Sequence, residues 1–258
     1  MTSTEGTGGL LVEDVSVRFG GVVALRDVSL TAAPNTVTGI IGPNGAGKTT
    51  LYNALCGLVR ADSGRISWRG TPLLGRRPDE LAGLGVARTL QGMNLFPLMT
   101  VAENVMVGAD RLARGGTLAA LTGLGRVGRD ERRLRARALD ALAEFGVAHL
   151  AEALPPSLPF GLRKRVALAR ALAADPDLLL LDEPAGGLSA EEIAELAERI
   201  RGFRERMTVL LVEHHMDMVM DVCDHIAVLN FGRVIAAGPP EAIRADAAVT
   251  EAYLGDAA

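Results

Sequence analysis

The chain is 258 residues long, 48% hydrophobic, and carries a formal net charge of −4. So much apolar content excludes a disordered chain, and so small a charge excludes a general attraction to nucleic acid or anionic lipid. No apolar run approaches the roughly 18 residues of a spanning helix; the longest, Leu178 to Leu181 and Val209 to Val212, have the length of core strands. The start, MTSTEGTGGLLVEDVSV, lacks a basic segment followed by an apolar block, so no signal peptide is expected and the protein is expected inside the cell. Cys56 and Cys223 have neither metal-like nor redox-like spacing and read as buried thiols. Basic charge is almost all arginine; the two lysines are Lys48 and Lys164.

Short valine- and leucine-rich runs at Leu10 to Val17, Val22 to Leu25 and Val28 to Leu30 predict strands, with turns at Gly20-Gly21 and Pro34-Asn35. Val37 to Ile41 predicts a buried strand, and Gly47 to Leu58 a helix. Another strand is expected around Ile66 to Trp68. From about Gly92 to Pro159 the periodicity is helical without a convincing strand. Leu134, Ala138, Leu142 and Phe145 make one stripe there, and Pro155, Pro156 and Pro159 mark its exit. A helix over Leu162 to Ala174 and a strand at Leu178 to Leu181 follow. Ser189 with Glu192 predicts a capping box, opening a helix with the stripe Ile193, Leu196, Ile200 and Phe203. Strands are expected at Thr208 to Val212 and Ile226 to Leu229, with a turn at Asn230-Phe231-Gly232. Strands alternating with helices predict an α/β fold with a largely parallel sheet covered on both faces, into which a helical subdomain is inserted.

Gly42-Pro43-Asn44-Gly45-Ala46-Gly47-Lys48-Thr49, followed by Thr50, matches G-x-x-x-x-G-K-[ST] between an expected strand and an expected helix. Glycines let successive N–H groups turn inward, and the helix that follows presents its positive end to phosphate. Lys48 is placed to reach the β and γ phosphates, and the Thr49 hydroxyl to ligate magnesium. Downstream, the apolar strand Leu178 to Leu181 ends in Asp182-Glu183. A strand buried on both faces delivers its last residues to the sheet edge where ligands bind. Asp182 is expected to hold magnesium and Glu183 to orient and deprotonate a water, a role worth roughly 10²- to 10⁴-fold in rate.

With both motifs in this order, and Asp182-Glu183-Pro184 closing the second, the sequence from Leu10 to Gly255 resembles the ABC ATPase family. The resemblance implies a single domain over 1–258: a P-loop core (1–91 and 161–258) with an N-terminal antiparallel β subdomain, and a helical subdomain (92–160). Bound ATP and Mg²⁺ are implied with it. Leu158-Pro159-Phe160-Gly161-Leu162 occupies the place of the signature LSGGQ, with Pro159 for serine and Leu162 for glutamine. Proline offers neither hydroxyl nor N–H, which leaves Gly161 and the helix start behind it as the anion site. By resemblance, Phe19 stacks on adenine, Gln91 senses the γ-phosphate and magnesium, and His214 is the switch histidine. His215 is its rival, and the strand-Glu-His order favours His214. Ala185 to Ser189 takes the D-loop position, while His149 and His225 read as structural.

Val86 to Gln91, Asn94-Leu95-Phe96, Met99 to Asn104, Glu213 to Met216, and Val249 to Gly255 are similar to the importers of branched-chain amino acids, though His215 stands where aspartate is common. That branch implies two permeases, a second and non-identical ATPase subunit, an extracytoplasmic solute-binding protein, and a place on the cytoplasmic face of the plasma membrane. Permease contacts are expected between Gly92 and Met106. The arginines at 126, 129, 132, 133, 135 and 137 read as a solvated helix face rather than a lipid or RNA patch. An ABC exporter is a same-class alternative; a nucleic-acid or ribosome ATPase is the second alternative and a non-catalytic regulator the third. The second lacks support because no heptad coiled coil separates Lys48 from Asp182 and the chain has one ATP module; the third because Lys48, Gln91, Asp182, Glu183 and His214 are all present.

Overall fold

The computed structural model describes residues 8–89, 93–110 and 127–254. The chain runs β1 (Leu10–Phe19), β2 (Val22–Ala32), β3 (Val37–Ile41), α1 (Lys48–Leu55), β4 (Ser63–Trp68) and β5 (Thr71–Pro72). It continues through α2 (Pro78–Gly83), β6 (Val86–Arg88), α3 (Val101–Gly108), α4 (Val127–Glu144), α5 (Phe160–Leu172) and β7 (Leu178–Asp182). It ends with α6 (Ala190–Phe203), β8 (Thr208–Val212), α7 (Met216–Val222), β9 (His225–Asn230), β10 (Arg233–Gly238), α8 (Pro240–Ala245) and α9 (Ala247–Leu254). Two compact units emerge: Met1–Leu81 with Leu180–Ala258, and Ala82–Leu179.

In the first unit, β2, β1, β4 and β5 form an antiparallel sheet in that order. The two short runs expected at Val22 to Leu25 and Val28 to Leu30 are one strand, β2. What reads as a break is a pair of bulges. Asp14 and Asp27 both have φ 50, the left-handed region, and the register shifts beside them. Each bulge is closed by a hydroxyl across the pair: Asp14 N–H donates to Ser29 Oγ at 2.9 Å and Asp27 N–H to Ser16 Oγ at 3.0 Å.

The second sheet of this unit holds β10, β9, β3, β8 and the end of β7 in that order. β3 pairs parallel with both β8 and β9, and only the hairpin strand β10 is antiparallel. Every residue of β3, β7 and β8 is buried, which is why these segments read as unbroken apolar runs instead of alternating ones. α1 is fastened to this sheet by the Tyr52 hydroxyl, which donates to the Leu180 carbonyl at 3.2 Å. The capping box at α6 is present: Glu192 N–H donates to Ser189 Oγ, and Ser189 N–H to Glu192 Oε2. Leu196, Ile200 and Phe203 face the core, while Ile193 is half-buried. Cys56 and Cys223 are free and buried, and burial pushes the Cys223 thiol up to about 12, far from a reactive thiolate.

The second unit packs α3, α4 and α5 together, with β6 beside β7, whose first residues belong to this unit. Between residues 93 and 159 the described residues contain helices and no strand, as the periodicity requires. On α4, Ala138 and Leu142 are buried with Phe145 just beyond, and Leu134 is half-buried. A second capping box, Thr100 with Glu103, starts α3. Arg135 pairs with Glu152, and Arg137 with Asp175 at 3.1 Å, so part of the arginine row is engaged within its own unit. Phe145 is 1% exposed. Phe145→Ala is expected to destabilise the protein by about 3–5 kcal/mol, measured as a lower urea midpoint.

Candidate active site

The phosphate loop leaves β3 at Ile41 and enters α1 at Lys48. Its shape needs glycine at two places. Gly42 has φ 151, and a Cβ there would run into the Leu229 carbonyl of β9. Gly47 caps α1 with φ 104, where a Cβ would sit 2.8 Å from the Ala24 carbonyl. The β9–β10 turn braces the same loop: Gly232 N–H donates to the Ala46 carbonyl at 2.9 Å, and Arg26 N–H to the Gly232 carbonyl at 2.7 Å. The Lys48 ammonium is buried and donates to the carbonyls of Gly42 at 2.6 Å and Pro43 at 2.9 Å. Those oxygens stand in for the phosphate oxygens that a lysine in this loop can reach.

A cleft of about 400 Å³ opens over the loop, lined by residues 44 to 50, by Val22 to Ala24, and by Glu183, Phe231 and Gly232. The expected residues Asn44, Gly45, Ala46, Gly47, Lys48, Thr49 and Thr50 therefore share one cavity with Glu183. Phe19, at the end of β1, is 52% exposed and is not among the lining residues; the aromatic ring that lines the cleft is Phe231, 87% exposed. Phe231 was not singled out from the sequence for this purpose, because a turn phenylalanine carries no motif.

Asp182 ends β7 with its carboxylate buried. Its pKa is pushed up to about 6, first by burial, then by the charges of Glu183 and Glu213, with Lys48 pulling the other way. A carboxylate crowded by two others beside one ammonium fits a divalent cation, whose charge would relieve the repulsion. Glu183 follows with φ 45, a left-handed conformation unusual for a non-glycine residue, held by its N–H donating to the Val212 carbonyl at 2.9 Å. His214 Nδ1 lies 3.8 Å from Glu183 Oε1 and 3.8 Å from Glu213 Oε2. His215 caps α7, its ring 4.6 Å from that of His214. Lys48, Asp182, Glu183 and His214 thus come from three strand ends to one place. Gln91 lies outside the described residues. Gly161 belongs to the second unit, in the first turn of α5, behind Pro159 as N-cap without a side-chain hydrogen bond. The first N–H groups of that helix have no intrahelical acceptor, as at any helix start.

Residues 25–186 match the ABC transporter family. The chain belongs to it. Residues 233–258 also match the branched-chain amino acid ATP-binding cassette transporter family. This ABC ATPase is 38% identical, over 96% of its length and 98% of the relative's, to the high-affinity branched-chain amino acid transport ATP-binding protein LivG of Escherichia coli K12. Its identity to the corresponding protein BraF of Pseudomonas aeruginosa is also 38%, with the same coverage. It is 32% identical to the lipopolysaccharide export system ATP-binding protein LptB of Haemophilus influenzae, covering 96% of this chain and 97% of that one. Among solved structures, a crystal structure of the ADP conformation of an ABC transporter cassette matches with TM-score 0.82 at 30% identity. That match covers 96% of this chain and 98% of the other. The expected fold, a P-loop core with an antiparallel β subdomain and a helical insertion, is the one found. No helix among the described residues is long and apolar enough to cross a membrane.

Because the folded Asp182 takes up its proton more readily than the usual carboxyl value of 3.8, its protonated form favours the folded state. That contribution is complete below about 4 and is lost as pH rises through about 6. Without added metal, the wild-type Tm is expected to fall across this window by more than that of Asp182→Asn, a difference that thermal melts at stepped pH would read.

Proposed function

We propose that this ABC ATPase powers an importer of branched-chain amino acids or of related small polar solutes. The observation that carries this reading is the C-terminal match over residues 233–258, in line with the LivG and BraF relatives. The ATPase works on the cytoplasmic face of the plasma membrane with two permeases, a second and non-identical ATPase subunit, and an extracytoplasmic solute-binding protein.

In the proposed chemistry the N–H groups of Gly42 and of residues 44 to 50 and the Lys48 ammonium bind the triphosphate, Lys48 exchanging its loop carbonyls for phosphate oxygens. Phe19 stacks on the base. Thr49, Asp182 and Gln91 would hold Mg²⁺, which supplies charge neutralisation of the phosphate oxygens. Glu183 orients the attacking water and accepts its proton, already turned toward the cleft by its left-handed backbone. His214 donates toward the γ-phosphate. Gly161, at the start of α5, contacts the nucleotide held by the partner ATPase subunit. The ATP-binding core closes on ATP and the helical subdomain transmits the movement.

Support for the permease contact lies in the second unit. Asn104, fully buried, accepts the Phe96 N–H at 2.7 Å and donates to the carbonyls of Phe96, Met99 and Thr100. Arg170 donates to the Met93 and Asn94 carbonyls. These bonds hold Leu98 out, 91% exposed, beside the half-exposed Phe96. An apolar side chain presented on a fixed loop within Gly92 to Met106 suits a protein contact.

The LptB relative favours a second reading, an exporter. Uptake of labelled leucine, isoleucine and valine separates the two. Source cells carrying Lys48→Ala are expected to lose uptake, regained with a normal gene copy. Unchanged uptake alongside continued ATP hydrolysis by the purified wild-type complex would remove the import reading and keep the ATPase. Glu183→Gln is expected to bind ATP as wild type while losing at least about 100-fold in turnover, and wild-type turnover in that variant would remove Glu183 from its role.

A further inference from the structure

Glu213 is the residue that the chemistry above leaves without a task. It follows the last residue of β8, is 0% exposed, and carries a carboxylate. Full burial of such a group costs several kcal/mol unless its oxygens are met by donors. Among the described residues its hydrogen-bond donors are backbone N–H groups, and they come from two loops. Oε1 accepts from Ala185 at 2.7 Å, two residues past Glu183. Oε2 accepts from His214 at 2.8 Å and from His215 at 3.2 Å. The N–H of Glu213 itself donates to the Ile40 carbonyl at 3.3 Å, on the strand that feeds the phosphate loop.

We infer that Glu213 is a positioning residue for hydrolysis: one carboxylate clamps the loop after Glu183 to the loop of His214, and so sets the 3.8 Å separation between those two side chains. The inference rests on the ATPase reading and deepens it. A metal-ligand role fits the same side chains less well. Glu213, His214 and His215 offer ligand atoms within 4.8 Å of one another, but both Glu213 oxygens are turned to backbone N–H groups. Neither can a neutral residue of equal length replace the clamp. Glutamine has one acceptor oxygen, and its amide nitrogen would face an N–H with another donor. It can satisfy one loop and must release the other.

The test compares Glu213→Gln, His214→Ala and the double variant in the assembled transporter, under single-turnover conditions so that slow variants remain measurable. ATP affinity of Glu213→Gln is expected within about twofold of wild type, since Lys48 and its loop are untouched, while the hydrolysis rate falls by at least about tenfold. Groups that act as a unit are non-additive, so the double variant is expected to be no slower than His214→Ala. If Glu213→Gln fails to fold, Glu213→Asp takes its place, keeping the charge but too short by one methylene to span both loops. Three results overturn the inference: an unchanged hydrolysis rate, losses that multiply in the double variant, or ATP affinity and Tm falling together with the rate. Wild type and Glu183→Gln in the same assay test the ATPase reading by itself, so a silent Glu213→Gln in an active complex counts against Glu213 alone.

Discussion

Three strands that water does not reach end next to one another, at Ile41, Asp182 and Val212, and the phosphate loop, the acidic pair and the histidine pair follow those ends. Because β3, β7 and β8 are buried along their whole length, their side chains settle the packing and only the residues after the last buried position are free to be polar. The ends are also bonded to each other: Glu183 N–H to the Val212 carbonyl, and Glu213 N–H to the Ile40 carbonyl. The loops that leave this frame are braced further, by Gly232 against Ala46 and by Glu213 against Ala185, His214 and His215.

Electrostatics at that edge is unbalanced by design of the chain. Asp182, Glu183 and Glu213 crowd together, with Lys48 pulling the other way on Asp182. A divalent cation would relieve such crowding of carboxylates. Lys48 donates to the carbonyls of its own loop, so its buried ammonium is already desolvated and hydrogen-bonded. The left-handed backbone of Glu183 belongs to the same picture. A conformation that is unfavourable in isolation is held by a strand-end hydrogen bond, and it fixes where the carboxylate projects.

The two units divide the work by the kind of surface they offer. The first offers a cleft over the phosphate loop, lined by residues 44 to 50, Val22 to Ala24, Glu183, Phe231 and Gly232. The second is a helical cluster whose buried Asn104 builds a loop that points Leu98 outward. Buried polar side chains recur as the means of shaping irregular backbone: Asn104 in one unit, Glu213 in the other. Each bonds several backbone groups of the loops beside it.

Much of this was legible in the chain before any coordinates. The phosphate-loop pattern needs glycines and a lysine at fixed offsets, a four-leucine run before Asp-Glu has the length of a strand covered on both faces, and the Ser189–Glu192 pair announces a helix start; all of these depend on neighbours within a few residues. What depends on neighbours far along the chain was not legible. The break read at Arg26-Asp27 became a bulge because Ser16, on another strand, supplied a hydroxyl. Phe231 reached the cleft because Gly232 is bonded to Ala46. Glu213 entered the sequence reading only through the strand-Glu-His order, and its bond to Ala185, 28 residues away in the chain, exists only in the fold. The sequence determined the elements and the identity of the phosphate-binding chemistry, since local spacing dictates both. Only the tertiary structure decided which buried carboxylate meets which loop, because a hydrogen bond of about 3 Å between residues far apart in the chain exists only after the strands between them have packed.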